Sequence, residues 1–258
     1  MKYTKLFSAL MLGLSVSANT LADTNEEWKI SFGTDFSSGS YDDPVDTDIT
    51  YLPVSISRKS GPWTAKVSAA WLEIDGPGTV VGGGDGGVVV GSGGMTTSSE
   101  SGFGDIWASL GYELQSFPQE LGYLDLTAKI KLPTADEDKQ LGTGEVDYTL
   151  QADWAYSMGR LTPLVSVAYK IKGDPSGYEL DNVFYLSTGA DWKLSDDTHI
   201  GASLDFQQSA SNADDSLELF TYVNYRLSND WKVTPYVYIG LSDGSPDQGM
   251  GVQMIHKF

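Results

Sequence analysis

The sequence predicts an all-β fold, a closed antiparallel transmembrane β-barrel of about 12 strands. Apolar and polar residues alternate in a series of short segments, and long connectors alternate with short ones between these segments. Aromatic residues also recur at both ends of the segments, on the same parity as the apolar residues. The 29 glycines and the 12% aromatic content are typical of a turn-rich β protein.

The alternating segments follow one another along the chain. A period of two places successive side chains on opposite sides of a strand, so each segment has one apolar face and one polar face. The apolar sets occupy residues 28–36, 52–56, 63–71, 106–114, 124–132, 146–156, 165–171, 184–192, 200–206, 217–225, 233–241 and 250–258.

The connectors favour a membrane barrel over a soluble β-sandwich, which alternation alone would also fit. Short connectors alternate with longer Gly- and Asp-rich ones, of which 75–101 is the longest. The short ones are 60–61, 115–121, 159–160, 195–196 and 228–230. Outer-membrane barrels have short periplasmic turns and longer outer loops, so an even strand number predicts that both termini are periplasmic.

Aromatic residues of the apolar parity form two predicted girdles, where amphipathic rings meet lipid headgroups. Those beside the short connectors or the chain ends are Trp28, Trp63, Tyr112, Tyr156, Trp192, Tyr225, Trp231 and Phe258. Those beside the long connectors are Phe36, Trp71, Tyr169, Phe184 and Phe206. A soluble sandwich does not require aromatic residues at both ends of one strand face.

Residues 1–22 have the pattern of a secretory signal peptide, which leaves 23–258 as the barrel domain. Lys2 and Lys5 precede an apolar stretch at 6–16, and Ala22 is the favoured cleavage point. At the other end, Phe258 closes an alternating segment and resembles the terminal aromatic sorting signal read by the barrel-assembly machinery. The sequence therefore predicts secretion through the inner membrane and insertion into the outer membrane of a Gram-negative cell.

Composition excludes several functions. The formal net charge of -19 argues against nucleic acid as a partner, because phosphates repel an acidic surface. The chain has no cysteine, and the Gly-rich stretch 82–94 lacks the lysine and helix of a phosphate-binding loop, so no cofactor is expected. Acidic residues gather in the predicted outer loops, where they provide solubility and repulsion, bind divalent cations that bridge to lipopolysaccharide, or give the mouth of the barrel a preference for cations.

The polar parity supplies candidate lumen-lining residues. Their charges are mixed, which fits either cross-strand ion pairs or a transverse field that orients a solute. Their aromatic members suit an apolar or aromatic solute. The candidates are Phe103, Asp105, Trp107, Lys129, Lys131, Glu145, Asp147, Asp153, Lys170, Phe220, Tyr222, Tyr236 and Tyr238.

Two other features leave alternatives open. His199 has lumen parity and Ser203 follows on the same face, but strand rise separates them by more than about 10 Å, so a hydrolase is an unfavoured alternative. The connector 75–101 carries valines among its glycines. It either folds inward as a plug or lid, or has no fixed conformation.

Two stretches resemble a known family. Gly102-Phe103-Gly104-Asp105-Ile106 and Lys131-Leu132-Pro133-Thr134, followed by Leu141-Gly142-Thr143-Gly144 and Asp147-Tyr148, are similar to outer-membrane transporter-like proteins of the phenol-degradation meta-pathway. The resemblance implies a barrel that passes small, often aromatic, compounds. We therefore expect passive uptake of small hydrophobic or aromatic solutes, with a structural or surface-interaction barrel as the alternative function.

Overall fold

The computed structural model describes residues 26–41, 43–84, 87–89, 96–175 and 179–258. The predicted signal peptide at 1–22 lies outside these residues. In the described part of the chain, no helix has both the length and the apolar character needed to cross a membrane.

Almost all regular structure in the described residues is β-strand, as the alternation predicts. The strands are β1 (Glu27–Gly39), β2 (Thr47–Ser60), β3 (Trp63–Gly76), β4 (Val80–Val81), β5 (Val88–Val89), β6 (Ser98–Phe103), β7 (Ile106–Glu113), β8 (Tyr123–Leu132), β9 (Asp147–Ala155), β10 (Leu161–Ile171), β11 (Val183–Lys193), β12 (Thr198–Gln207), β13 (Ser216–Arg226), β14 (Trp231–Gly240) and β15 (Gln248–Lys257). A short 3-10 helix at Gln119–Leu121 precedes β8.

Thirteen of these strands form one closed antiparallel sheet. Each strand pairs with its neighbours along the chain, and β1 pairs with both β2 and β15, so the sheet has no free edge. β6 and β7 both pair with β3 and together make one wall strand. The wall therefore contains twelve strands, which confirms the predicted closed barrel. Closure satisfies the backbone hydrogen bonds of every wall strand within the sheet.

Burial of the side chains is the reverse of that in a soluble protein. Apolar residues on the outer face are exposed, with Leu150 62% and Val54 50% accessible, whereas inward-facing Thr234 and Thr149 are 0% and 1% accessible. Leu150 and Thr149 are neighbours in β9, so exposure alternates along a single strand. The outer face therefore requires an apolar solvent such as lipid.

The two ends of the barrel differ in their connections. Short turns such as 61–62, 194–197 and 227–230 lie at one end, here called the turn end, together with the described parts of both chain termini. Gly61 supports one of these turns with a φ of 57°, in the left-handed region that favours glycine. The longer connections lie at the opposite end, here called the loop end. This arrangement agrees with the alternation read from the sequence.

A β-bulge joins β6 to β7 and changes the parity of the wall strand. Trp71 of β3 pairs with Phe103, and Ser68 pairs with Trp107, so three steps along β3 face four along its partner. The extra residue lies at 104–106 and reverses which side chains face outward. Phe103 is consequently 69% accessible on the outer face, and its ring packs edge-on against Trp71 at 5.2 Å. The prediction that Phe103 lines the lumen is wrong.

The described part of the longest connection contains a short antiparallel pair, β4 and β5, that lines the lumen and is here called the lid hairpin. Val80 packs in an apolar cluster with Ile49, Leu72 and Leu141. On the other side, Val88 packs with the cluster of Leu180, Val183 and Ala210. The described part of the connection thus forms a lid between the connections of the loop end. Residues 85–86 and 90–95 lie outside the described part.

Backbone and side-chain hydrogen bonds secure the lid hairpin at both of its strands. The amide of Gly82 donates to the carbonyl of Gln140 at 2.8 Å. The hydroxyl of Ser211 donates to the carbonyl of Val89 at 2.6 Å. These bonds reach two different connections of the loop end, so the lid hairpin spans part of the barrel mouth.

Candidate solute cavity in the lumen

A cavity of about 320 Å³ occupies the lumen below the lid hairpin. Val80 and Val88 of the lid contribute to its roof, and inward-facing side chains from most wall strands form its sides. This volume falls within the range of small-molecule pockets, which begins at about 300 Å³. The cavity is therefore large enough for a small organic solute.

One side of the cavity is aromatic. Phe220 of β13 lies 5.2 Å from the ring centroid of Tyr236 and 6.1 Å from that of Tyr238, both on β14. The rings of Tyr236 and Tyr238 are nearly parallel, at an interplanar angle of 18°. Together the three rings form a continuous surface, here called the aromatic wall. These three predicted lumen residues all line the cavity.

Glycines of the neighbouring strand β15 allow the rings of Tyr236 and Tyr238 to lie against the barrel wall. Tyr238 pairs with Gly249 and Tyr236 with Gly251 across β14 and β15. A Cβ atom at Gly249 would lie 2.1 Å from Cζ of Tyr238, and one at Gly251 would lie 2.4 Å from Oη of Tyr236. Real atoms cannot approach so closely, so only glycine permits this ring placement. The glycines thereby keep the rings out of the cavity's open volume.

Asp35 lies at the far edge of the aromatic wall. Oη of Tyr238 donates to Oδ1 of Asp35 at 2.9 Å, and Tyr236 also forms a side-chain hydrogen bond with this carboxylate. Because β15 separates β14 from β1, these bonds cross one complete strand. The two tyrosines are thereby fixed in both position and direction.

Two more carboxylates lie near Phe220 of the aromatic wall, one on the same strand and one on the next strand. Glu218 of β13 and Asp205 of β12 are paired directly across the strands and line the cavity. Oε1 of Glu218 accepts from the hydroxyl of Ser216 at 3.0 Å, and Oδ1 of Asp205 accepts from that of Ser187 at 2.5 Å. Within the described residues, hydroxyl groups rather than cations solvate these acids.

Lysine side chains line a different part of the cavity. Lys129 of β8 and Lys170 of β10 were both predicted lumen residues, and both contribute to the lining. Nζ of Lys170 donates to Oε1 of Gln207 at 2.6 Å and lies 5.6 Å from the ring centroid of Tyr185. Around the barrel, β8 and β10 are separated by several strands from the aromatic wall. The lining is therefore mixed in charge.

Several predicted lumen residues face inward but belong to a buried ion cluster at the loop end. Nζ of Lys131 lies 3.0 Å from Oδ2 of Asp147 and 3.5 Å from Oδ2 of Asp105. Lys172, just beyond β10, donates to Asp147 at 2.6 Å. Burial lowers the pKa of Lys172, while the negative charge of Asp147 opposes that change. Glu145 is half-buried on the connection that leads to β9.

The same cluster secures the connection 133–146. Oδ1 of Asp105 accepts from the backbone amides of Thr134 and Ala135, both at 3.0 Å. Nζ of Lys131 donates to Oγ1 of Thr143 at 2.8 Å, and Leu141 is 1% accessible. The motifs that carry the family resemblance thus meet in one place. Their role in this structure is to hold a loop, and the aromatic wall lies elsewhere.

Closer to the turn end, inward-facing polar groups are packed together. Tyr222 is buried and donates from its hydroxyl to Oδ2 of Asp191 at 3.2 Å. Asp153 is 2% accessible and accepts from the amide of Gln151 at 2.8 Å. Trp107 lies instead at the loop end, where it is half-buried and pairs with Lys131 across β7 and β8. These predicted residues lie on the inner face but do not line the cavity.

The arrangement around His199 gives no support for a hydrolytic site. Nδ1 of His199 lies 2.6 Å from Oδ1 of Asp191, which resembles the first two members of a catalytic triad. Ser203, the proposed nucleophile, instead donates its hydroxyl to Oδ2 of Asp205 at 3.2 Å. The histidine and serine are therefore bonded to different carboxylates.

Several residues that line the cavity were not among the predicted lumen residues, although their parity would have identified them. Tyr185, Asp205 and Glu218 each stand between outward-facing apolar or aromatic residues of their strands, and Asp35 stands between Thr34 and Phe36. Tyr51 has inward parity on β2 and also lines the cavity. Choosing every inward position at the depth of Phe220 would have found them. That choice requires the strand register, which the sequence did not provide.

The fold and its cavity define a transmembrane β-barrel with an apolar outer face, a polar inner face and an internal solute-sized space. The chain belongs to the family described as the MetA-pathway of phenol degradation, whose model matches residues 64–258. No curated protein matches the sequence significantly.

Solved structures with the same fold include the COG4313 outer membrane channel from Pseudomonas putida F1, with a TM-score of 0.67 and 11% identity over 93% of this chain and 97% of that one. The NanC porin gives a TM-score of 0.57 and 10% identity, over 88% of this chain and 98% of that one. The KdgM porin gives a TM-score of 0.57 and 11% identity, over 89% of this chain and 99% of that one. These similar structures are channels and porins.

Proposed function

We propose that this protein is an outer-membrane channel for the passive uptake of small hydrophobic or aromatic solutes. The observation that carries the proposal is the aromatic wall of Phe220, Tyr236 and Tyr238 inside a lumen cavity of about 320 Å³. An aromatic surface favours planar apolar groups through burial and ring stacking. The loop end faces the outside of the cell and the turn end faces the periplasm in this proposal.

The similar structures support the channel part of the proposal, since they include an outer membrane channel and two porins of the same fold. The choice of solute rests on this chain's own aromatic wall. A twelve-strand barrel is narrower than the 16 to 18 strands of large porins, so side chains fill much of its interior. Such a lumen suits selective passage of one small solute class better than bulk diffusion.

The biogenesis and partners predicted from the sequence complete the proposal. Residues 1–22 direct secretion, and Phe258 is the residue read by the barrel-assembly machinery. In the structure the backbone amide of Phe258 donates to the carbonyl of Trp28 at 2.9 Å, which joins the two chain ends at the barrel seam. Lipid surrounds the outer face, and lipopolysaccharide contacts the acidic loop end.

The alternative based on cation-binding loops has less support. Among the described residues, no group of three or more carboxylates or histidines is arranged to hold a metal ion. The hydrolase alternative likewise lacks a serine bonded to His199. Neither alternative is favoured by a specific observation.

A proteoliposome assay tests the proposal with a solute that crosses lipid slowly. Swelling rates are measured with phenyl β-glucoside, and with cyclohexyl β-glucoside as a control of similar size that lacks the aromatic ring. We expect the phenyl compound to enter faster, and Phe220→Leu to reduce that preference several-fold. Entry of both compounds at the rate of protein-free liposomes would overturn the proposal.

A further inference from the structure

We propose that the cavity binds an organic ammonium ion at the aromatic wall, with Asp35 and Glu218 on either side of it. This inference rests on the proposed function in that it names a solute class for the same cavity. It concerns a charged group, whereas the aromatic wall alone explains only an affinity for apolar rings. The evidence lies in the carboxylates, the rings and their surroundings.

The carboxylates have no cationic partner within the part of the chain that the structure describes. Asp35 accepts hydrogen bonds from two tyrosines, Glu218 from Ser216, and Asp205 from Ser187 and Ser203. None of the three forms an ion pair with a described lysine, arginine or histidine. Carboxylates held away from bulk water without a counter-charge are costly, and a bound cation would offset that cost.

The rings supply the second part of a cation site. Phe220 lies two residues from Glu218 on β13, and its ring packs beside those of both tyrosines. Tyr236 and Tyr238 reach over the glycines of β15 to Asp35. The exposed face of an aromatic ring carries negative potential and attracts ammonium groups. A cation above these rings would therefore meet attraction from the ring faces and from the acids on β1 and β13.

Size distinguishes an organic cation from a metal ion. Among the described residues, no group of three or more carboxylates or histidines is arranged to hold one metal ion. Asp35 and Glu218 instead lie on β1 and β13, with β14 and β15 between them, and a larger and more weakly hydrated cation can span this arrangement. The cavity of about 320 Å³ has room for a substituted ammonium group and its apolar substituents.

The lysines of the lining fix the direction of a bound cation. Lys129 and Lys170 lie on β8 and β10, apart from the aromatic wall on β13 and β14. Their positive charges repel an ammonium group and favour its placement near Asp35 and Glu218. A neutral solute experiences neither effect. Of two solutes with the same shape, the cavity should therefore bind the positively charged one more tightly than the neutral one.

Calorimetric titration of the detergent-solubilised protein tests the inference with choline and 3,3-dimethyl-1-butanol. The two probes share a shape and differ by one positive charge. We expect choline to bind about tenfold more tightly than the neutral alcohol. Glu218→Gln and Asp35→Asn should each remove most of that difference while Phe220→Leu weakens choline binding. Asp196→Asn, the same charge change at an exposed turn residue, should have no effect.

Heat-modified electrophoretic mobility first establishes that each variant has folded as a barrel. Equal affinity for the two probes, or a choline affinity unchanged in both Glu218→Gln and Asp35→Asn, would overturn the inference. Failure of the glucoside flux with charge-dependent choline binding intact would instead overturn the proposed channel function alone. The converse result, with flux intact and no preference for choline, would overturn only the ammonium site.

Discussion

The hydroxyl of Tyr238 donates to the carboxylate of Asp35 at 2.9 Å, although β15 lies between the strands that carry them. The bond is possible because Gly249 of β15 has no side chain beneath the tyrosine ring. Ring, glycine and carboxylate therefore form one unit. Changing any one of them should affect the position of the other two.

Gly249→Val should destabilise the barrel by about 1–3 kcal/mol, because the new side chain overlaps the ring of Tyr238. The free energy of unfolding in urea, measured in detergent or lipid, provides the test. In a Tyr238→Ala background the same change should cost much less, since the overlapping ring is gone. Equal costs in the two backgrounds would show that the ring does not lie over Gly249.

Asp105→Ala should release the connection 133–146, because it removes the acceptor of two backbone amides and one ion-pair partner of Lys131. We expect a loss of about 3 kcal/mol in the free energy of unfolding. Trypsin should also cleave faster after Lys139, which lies exposed in the released connection. Asp138→Ala, an exposed acid of the same connection, is the matched control. Cleavage no faster than in this control would contradict the assigned role of Asp105.

Phe103→Cys and Trp107→Cys should report opposite environments, because the bulge between β6 and β7 reverses the parity. The chain has no cysteine, so each variant accepts a single nitroxide label. Collisions with a lipid-soluble relaxation agent should be frequent at position 103 and rare at position 107. The same accessibility at both positions would contradict the register that places Phe103 beside Trp71.

Val80→Asp should raise the ion conductance of the barrel by weakening the attachment of the lid hairpin. Val80 is 4% accessible in an apolar cluster, where a carboxylate would have no counter-charge. Single-channel conductance in planar bilayers measures the effect. Thr97→Asp makes the same charge change at an exposed residue of this connection and should leave conductance unchanged. Equal conductance in the two variants would contradict a lid role.

The sequence allowed the architecture to be predicted because parity is local and is repeated in every wall strand. The exposed apolar face and buried polar face follow directly from that alternation. Phe103 was misplaced because one extra residue at the bulge reverses parity, and alternation within a segment does not reveal such an insertion. The alternation within each strand was therefore predictable, whereas the bulge that joins two strand segments was not.

The candidate site was only partly predictable. Phe220, Tyr236 and Tyr238 were selected by parity alone and line the cavity. Lys131 shares that parity but is 1% accessible in an ion cluster, because residues distant in sequence close around it. Asp35 was missed because its importance depends on rings two strands away. Depth and cross-strand contacts are properties of the assembled barrel that no single segment contains.

The seam between β1 and β15 runs from the pair Lys29 and Lys257 to the pair Ser38 and Gln248. This seam cannot form until β15 has been synthesised, because β15 supplies one half of it. Until then, any sheet that contains β1 has an unpaired edge at that strand. Closure of the barrel therefore requires the joining of two strands that are far apart in the sequence.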